Sequence, residues 1–305
     1  MNKNKIKILI MTMILFLTVG CTQVLKDKDK KAVKNPDTGQ NITENILCRP
    51  TSSTTIKIYE DNKVDIKNLV ECKDFNITTG GYEGLWTSIF VKPLAFLILS
   101  ITKLVNSSGF ALILTSLLIR LVAYPVTRKT AIQSELIKKA KPDLDKIEKK
   151  YKDKNDNDSM MKKSGEMTAV YKKYNINPFS SCLFAFLQLP LFVAFLEAIN
   201  RVPAIFEENF LGLQLGTTPY VGLKNGVFIY IIVVLIVAAS TYFSFKMNSA
   251  DSLGGGQSKM TFRVMCAIIT VMSVFMSSAL GIYWITTNLF TIVQNMIVKK
   301  EKKLV

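Results

Sequence analysis

Arg120 stands inside the apolar run Phe110-Ala-Leu-Ile-Leu-Thr-Ser-Leu-Leu-Ile-Arg-Leu-Val-Ala-Tyr-Pro. On a helix rising ~1.5 Å per residue it lies about 12 Å from Arg128, the cation that follows the run. An arginine at that depth in hydrocarbon costs about 2.5–3.5 kcal/mol on insertion scales, so it must face water or a partner. Polar residues on the other apolar runs fit such a site. Tyr283, Trp284, Thr287, Asn288, Thr291, Gln294 and Asn295 form a stripe at helical spacing, and Gln188 stands just ahead of Pro190. Ser240, Thr241 and Ser244 end another run. A stripe of this kind serves either as helix–helix glue or as the wall of a hydrophilic groove, and Arg120 favours the groove. Arg120 capping backbone carbonyls between helices is the structural alternative.

Much other chemistry is excluded. The chain has no histidine, which removes Ser-His-Asp and Cys-His catalysis, HExxH zinc hydrolysis and any His-ligated metal. There is no CxxC spacing and no GxxxxGK[ST] phosphate loop. Cys182 and Cys266 fall in apolar runs and read as packed small residues. No cofactor is implied, and the protein reads as a non-enzyme.

The elements that must position these residues are membrane helices. The 305 residues are 49% hydrophobic yet carry 39 Lys+Arg against 23 Asp+Glu, a net charge of +16. Greasy and basic together indicate a membrane protein with cationic cytoplasmic loops. Lys3, Lys5 and Lys7 precede the apolar run 8–19, which ends Leu17-Thr18-Val19-Gly20-Cys21, so residues 1–20 read as a lipoprotein signal peptide. The last residues resemble a bacterial lipobox, with Thr18 where leucine is usual. Cys21 would then carry a palmitate-type lipid anchor; a retained signal anchor is the alternative. Either way residue 21 leaves the cytoplasm.

Residues 21–82 read as a polar extracytoplasmic linker, with a small hairpin of alternating residues around Asp61-Asn62. Cys48 and Cys72 lie in it, either as a disulfide or as two thiols.

Six apolar stretches follow, near 85–105, 109–127, 179–199, 226–245, 261–280 and 282–298. Each approaches the ~20 residues a bilayer requires. The loop from Arg128 to Lys173 holds 14 Lys+Arg and 8 Asp+Glu, and Lys299, Lys300, Lys302 and Lys303 follow the last stretch. Positive-inside bias places both in the cytoplasm. An odd number of crossings must therefore separate Cys21 from Arg128. The stretch 85–105 is demoted, because Lys92 and Lys103 share a helical face and Pro93 interrupts the run. It reads as an interfacial helix, 83–107.

The result is an all-α polytopic membrane protein with five transmembrane helices over 108–298, N-terminus outside and a basic cytoplasmic tail, 299–305. Ile132, Leu136, Ala140, Leu144, Ile147 and Tyr151 predict one amphipathic helix in the cytoplasmic loop. Met160, Ser164, Met167, Tyr171 and Tyr174 predict a second, so 128–176 forms a helical hairpin. Such a hairpin is either a solvated loop or a docking arm for ribosomal RNA, incoming chains or a translocation partner.

Taken together these residues resemble the YidC-type membrane protein insertases. Leu118-Ile119-Arg120-Leu121 with Pro125 is similar to the family's first core span. Tyr171-Lys172-Lys173-Tyr174-Asn175-Ile176-Asn177-Pro178, Cys182 and Gln188-Leu189-Pro190 are similar to its second-span entry. Tyr283-Trp284 and Thr287 to Gln294 resemble its last span. Ser277 and Ser181 depart from the family's proline and glycine. The lipidated N-terminus and the lack of a large periplasmic domain resemble the Gram-positive branch.

The resemblance implies an insertase and chaperone for single- and double-span proteins in the bacterial cell membrane, working alone or with the Sec translocon. Arg120, Gln188, Trp284, Thr287, Asn288 and Thr291 would line its substrate groove. Nascent membrane proteins and the lipid bilayer would be partners, with the ribosome a further one. Two other classes compete. A small anion or solute transporter would usually show internal repeats, and none is found. A scaffold lipoprotein of a secretion complex would not need Arg120 at membrane depth.

Overall fold

The computed structural model describes residues 22–152, 154, 156–177, 180–247 and 255–301, apart from the side chains of 180–187, 255–259 and 261. The signal peptide, Cys21, the Cys182 side chain and the tail lysines Lys302 and Lys303 lie outside the described residues.

Helices dominate. They are α1 (Ser53–Asp61), α2 (Gly84–Val105), α3 (Ser108–Lys150), α4 (Asn157–Lys173), α5 (Ser180–Arg201), α6 (Pro203–Phe206), α7 (Pro219–Lys224), α8 (Ile229–Met247), α9 (Gly255–Phe275) and α10 (Ser278–Glu301). A two-stranded ribbon, β1 (Asn209–Phe210) and β2 (Leu213–Gln214), turns through Leu211 and Gly212, both at positive φ as a tight hairpin requires. Among the described residues, α2, α3 and α8 are long and apolar enough to cross a membrane by length and composition, and 262–275 of α9 is a shorter apolar helix.

Large apolar side chains lie exposed in helical stripes: Leu114, Leu118, Leu121 and Val122 on α3, Ile232, Leu235 and Ile236 on α8, and Val264, Ile268, Val271 and Phe275 on α9. In water such stripes would drive aggregation; against lipid they are at home. Polar residues occupy the inside instead, including Thr115, Ser116, Ser240, Thr241 and Asn295. The protein is membrane-integral.

The chain divides into two compact units. The first comprises Met1–Ser116, Leu189–Val234 and Ser273–Tyr283; the second comprises Leu117–Gln188, Leu235–Met272 and Trp284–Val305.

In the first unit, residues expected to form a solvated linker are folded. Leu25, Ile42, Ile46, Tyr59 and Ile66 make a core, with Val33, Ile56, Ile58, Val64 and Leu69 packed on it. The chain from 24 to 43 doubles back through the antiparallel bridges Val24↔Thr43, Lys26↔Ala32 and Lys34↔Asn41. Its second turn ends in Gly39 at φ +69°, where a Cβ would come 2.2 Å from Val221 Cγ2. The expected hairpin around Asp61-Asn62 is a correction too. Residues 53–61 are helical because Thr55 and Tyr59, four apart, are the pair that reaches the core. Burial pushes the Tyr59 phenol upward from its ordinary pKa, and its hydroxyl donates to the Thr43 carbonyl at 2.6 Å. Cys48 and Cys72 are joined as a disulfide.

The expected charged face of α2 needs correcting as well. Lys103 is exposed, but Lys92 is wholly buried. Its ammonium folds back onto the Thr79 and Gly81 carbonyls, each at 2.7 Å, and onto Glu83 at 2.8 Å.

In the second unit the apolar run of α3 and the first arm of the hairpin are one unbroken helix, passing through Pro125 and Pro142. The arm packs against α4 through Ile137, Ala140, Leu144 and Ile176, with Met167, Val170, Tyr171 and Tyr174 partly buried beside them. Ile137 was missing from the predicted stripe, and Met160, which was in it, is exposed. Ion pairs Asp143–Lys173, Glu148–Lys163 and Lys150–Glu166 lace the two helices in antiparallel sense. The turn is closed by Asp156, whose carboxylate accepts from the Ser159 N–H at 2.8 Å and caps α4.

Candidate functional site: a buried polar cluster

Arg120 is on α3, where Leu118, Leu121 and Val122 point outward and leave the arginine facing in, 5% exposed. Its Nη2 donates to Gln188 Oε1 at 2.6 Å. Gln188 reaches it from α5, two residues ahead of the interior Pro190. A hydrogen bond from a charged donor is worth about 1.5–3 kcal/mol, comparable with the cost of placing arginine in hydrocarbon. The acceptor is a neutral amide, so this bond satisfies a donor without cancelling the charge.

A second cluster joins α8 and α10. Trp284 Nε1 donates to Thr241 Oγ1 at 3.1 Å. The Asn288 amide lies 3.0 Å from Thr241 Oγ1 and 3.2 Å from Ser240 Oγ. With its oxygen facing them, it also accepts from Trp284 Nε1 and the Thr241 N–H, both at 3.2 Å. One turn lower, Thr287 donates to the Trp284 carbonyl at 3.0 Å and Thr291 to the Thr287 carbonyl at 2.8 Å. These two hydroxyls are turned onto their own helix, although both are buried. Gln294 Nε2 donates to Thr127 Oγ1 at 3.0 Å and ties α10 to α3.

The structure thus pairs Arg120 with Gln188, joins Trp284 with Asn288, and leaves Thr287 and Thr291 as self-capped wall residues. Thr127 was not singled out by the sequence; its place seven residues, about two turns, beyond Arg120 on the same side of α3 is the signal that marks it. At the end of α10, Glu301 forms an exposed ion pair at 2.7 Å with Arg128 of mid-α3. Among the described residues no group of His, Cys, Asp and Glu could hold a metal. Nothing in the cluster is arranged for bond-making chemistry: it offers a fixed cation, amides and hydroxyls in an apolar surround.

Against known proteins, the model of the 60Kd inner membrane protein family matches residues 100–304. The chain belongs to that family. The match begins within α2 and covers both clusters.

Among the relatives in this family is the membrane protein insertase YidC of Oceanobacillus iheyensis, 33% identical over 224 residues, covering 73% of this chain and 86% of the relative. Another is the membrane protein insertase MisCA of Bacillus subtilis, 30% identical over 216 residues, covering 70% and 79%. A crystal structure of an active YidC insertase with its first transmembrane domain resolved has the same fold, at TM-score 0.52 and 23% identity over 79% of this chain. This chain spans 52% of that one's length. The resemblance read from Arg120, Gln188-Leu189-Pro190 and the Tyr283–Gln294 stripe is borne out. The family is one of insertases and not of known catalysts.

Proposed function

We propose that this protein is a membrane protein insertase whose working surface is the Arg120 cluster. Five spans carry it in a bacterial cell membrane, with residue 21 outside, lipidated through Cys21, and the C-terminus in the cytoplasm. A nascent membrane protein offers the short polar tail that must cross. Arg120 attracts acidic groups in the tail, while the polar groups of Gln188 and Trp284, half-buried, and of the buried Thr287, Asn288 and Thr291 replace part of its hydration. The exposed stripes of α3, α8 and α9 receive the following apolar span. Larger clients are served beside the Sec translocon, and the hairpin and tail meet the ribosome.

The observation that carries this reading is the burial of Arg120 in the apolar helix α3, 5% exposed, with the polar Gln188 amide at its Nη2: a cation turned inward where a substrate carboxylate can bind it. The test is reconstitution into liposomes with a single-span substrate bearing an acidic N-terminal tail, scored by protease protection of that tail. Protection above protein-free liposomes, lost in Arg120→Ala and kept in Arg120→Lys, is the expected result. Equal protection by all three proteins would remove Arg120 from the mechanism.

A further inference from the structure

In the first unit one residue gathers the folded N-terminal segment onto the family core. Arg201, the last residue of α5, is 1% exposed. Its Nε donates to the Asn45 carbonyl at 2.7 Å, its Nη2 to Glu83 Oε2 at 2.5 Å and its Nη1 to Thr87 Oγ1 at 3.4 Å. Its own carbonyl accepts from the Leu47 N–H at 2.8 Å. Glu207, just beyond α6, accepts from the Thr51 N–H at 2.9 Å, the Thr51 hydroxyl at 2.7 Å and the Ser52 N–H at 3.1 Å. Glu83 also binds the buried Lys92, and Trp86 Nε1 donates to the buried Glu197 at 2.9 Å.

The two ends of the segment 45–83 therefore meet on the same guanidinium. The Asn45 carbonyl holds it from one side and Glu83 from the other, while the Leu47 N–H binds the main-chain carbonyl of the same residue. Between them lies the disulfide from Cys48, inside the segment 45–52 that bonds Arg201 and Glu207, to Cys72, on the path towards Glu83. Beside it Arg49 N donates to the Val70 carbonyl at 2.8 Å. Cutting the S–S bond would release 24 residues of chain separation between the segment 45–52 and the Glu83 arm. The buried cations would then have to be held by two segments that fluctuate independently. The family match begins at residue 100, so the segment 45–92 lies before it, while Arg201 and Glu207, which hold that segment, lie within it.

We propose that residues 45–92 form a thiol-controlled clasp on Arg201: closed by the Cys48–Cys72 disulfide, it fixes the end of α5 and sustains insertion, and when reduced it opens and slows insertion. The effect on rate rests on the insertase reading above, and on residue 21 lying in an oxidising extracytoplasmic space. The switching step is thiol–disulfide exchange with a dithiol reductant. One thiolate attacks a sulfur of the pair, a mixed disulfide forms, and the second thiol resolves it. The reductant gives up two electrons and two protons and becomes a cyclic disulfide, while Cys48 and Cys72 become two thiols.

The test uses the full chain in lipid nanodiscs for hydrogen exchange and in liposomes for insertion, with and without dithiothreitol. Opening is read as amide exchange in peptides containing Leu47, Thr51 and Ser52, expected to quicken by about tenfold or more on reduction. Insertion of the single-span substrate is expected to fall by about fivefold. Cys48→Ser/Cys72→Ser should match the reduced protein and ignore dithiothreitol; should it fail to accumulate, the reduced native chain still decides. Unchanged exchange on reduction would overturn the clasp, and unchanged insertion despite faster exchange would overturn its control of activity. Absence of insertion in both states would instead sink the insertase reading, with exchange still deciding the clasp.

Discussion

Arg201 and Arg120 are both buried arginines on helices of one protein, and they are held in opposite ways. Arg201 meets a carboxylate, two carbonyl or hydroxyl oxygens and a companion cation, Lys92, that shares its acid. Burial pushes the Glu83 carboxyl upward, but the hydrogen bonds from Lys92 and Arg201 outweigh it and hold the group below the usual carboxylate range. There the charge is consumed by the fold. Arg120 is buried beside a neutral amide, which accepts from its Nη2 at 2.6 Å. Burial alone does not mark a functional cation; the chemistry of its acceptor does.

That contrast can be broken most directly at Arg201. Arg201→Met strands the Asn45 carbonyl and leaves Glu83 with Lys92 alone, and the loss should be on the order of 3 kcal/mol, read as a large drop in the thermal midpoint in detergent. Glu83→Gln should cost no more than that, because Glu83 is a third exposed. Arg120→Ala should act elsewhere: insertion falls by roughly 10–100-fold, the equivalent of one charge-assisted bond, with little change in midpoint. If Arg120→Ala melts the protein as Arg201→Met does, the two arginines are alike and the comparison fails.

Gln188→Glu sharpens it. The new carboxylate converts Arg120 to the Arg201 type, so acidic-tailed substrates should insert more slowly while neutral-tailed ones are spared. A smaller effect is expected at Asn288→Ala, which removes the amide between Trp284 and the Ser240–Thr241 pair. Interhelical polar bonds in membranes are worth about 0.6–1.7 kcal/mol, so the midpoint should shift slightly and Trp284 fluorescence should move to the red.

The smallest effect is at the hairpin. Hydrogen bonds from Lys173 and Tyr174 hold the Asp143 carboxyl below its ordinary range, and Lys150 and Tyr151 do the same for Glu166. A carboxyl depressed in the folded state stabilises above the unfolded pKa and loses that contribution as pH falls through the folded one. The hairpin should therefore loosen below about pH 4, seen as faster proteolysis near residue 154 by an acid-active protease. All these pairs are at the surface, so molar salt should weaken them too.

Arg120 and the stripe from Tyr283 to Asn295 were legible because hydrocarbon tolerates few polar residues, so each one stands out. The hairpin's buried face was legible through its three–four spacing, except at Ile137, which was not expected in it, and at Met160 and Ser164, which are exposed because the packing of the two arms selects Met167, Val170, Tyr171 and Tyr174 instead. The N-terminal segment was not legible. Thr54-Thr55-Ile56-Lys57-Ile58-Tyr59 has the β-branched alternation of a strand, yet Tyr59 and Thr55 are recruited by a core assembled from Leu25, Ile42 and Ile66. Lys92 misled for a related reason. Its charge suggested water, and the carbonyls of Thr79 and Gly81 that replace water come from a turn whose position no local pattern reveals.

The unbroken course of α3 has a mechanical meaning. From Arg120 to Lys150 the helix is a rod about 45 Å long, with the arginine at one end and the hairpin turn at the other. A tilt of about 5° at the arginine end sweeps the far end by roughly 4 Å. Pro125 and Pro142 are the places where such a rod yields first. A load placed on the hairpin is thereby geared to the arginine, with two built-in joints setting how stiffly.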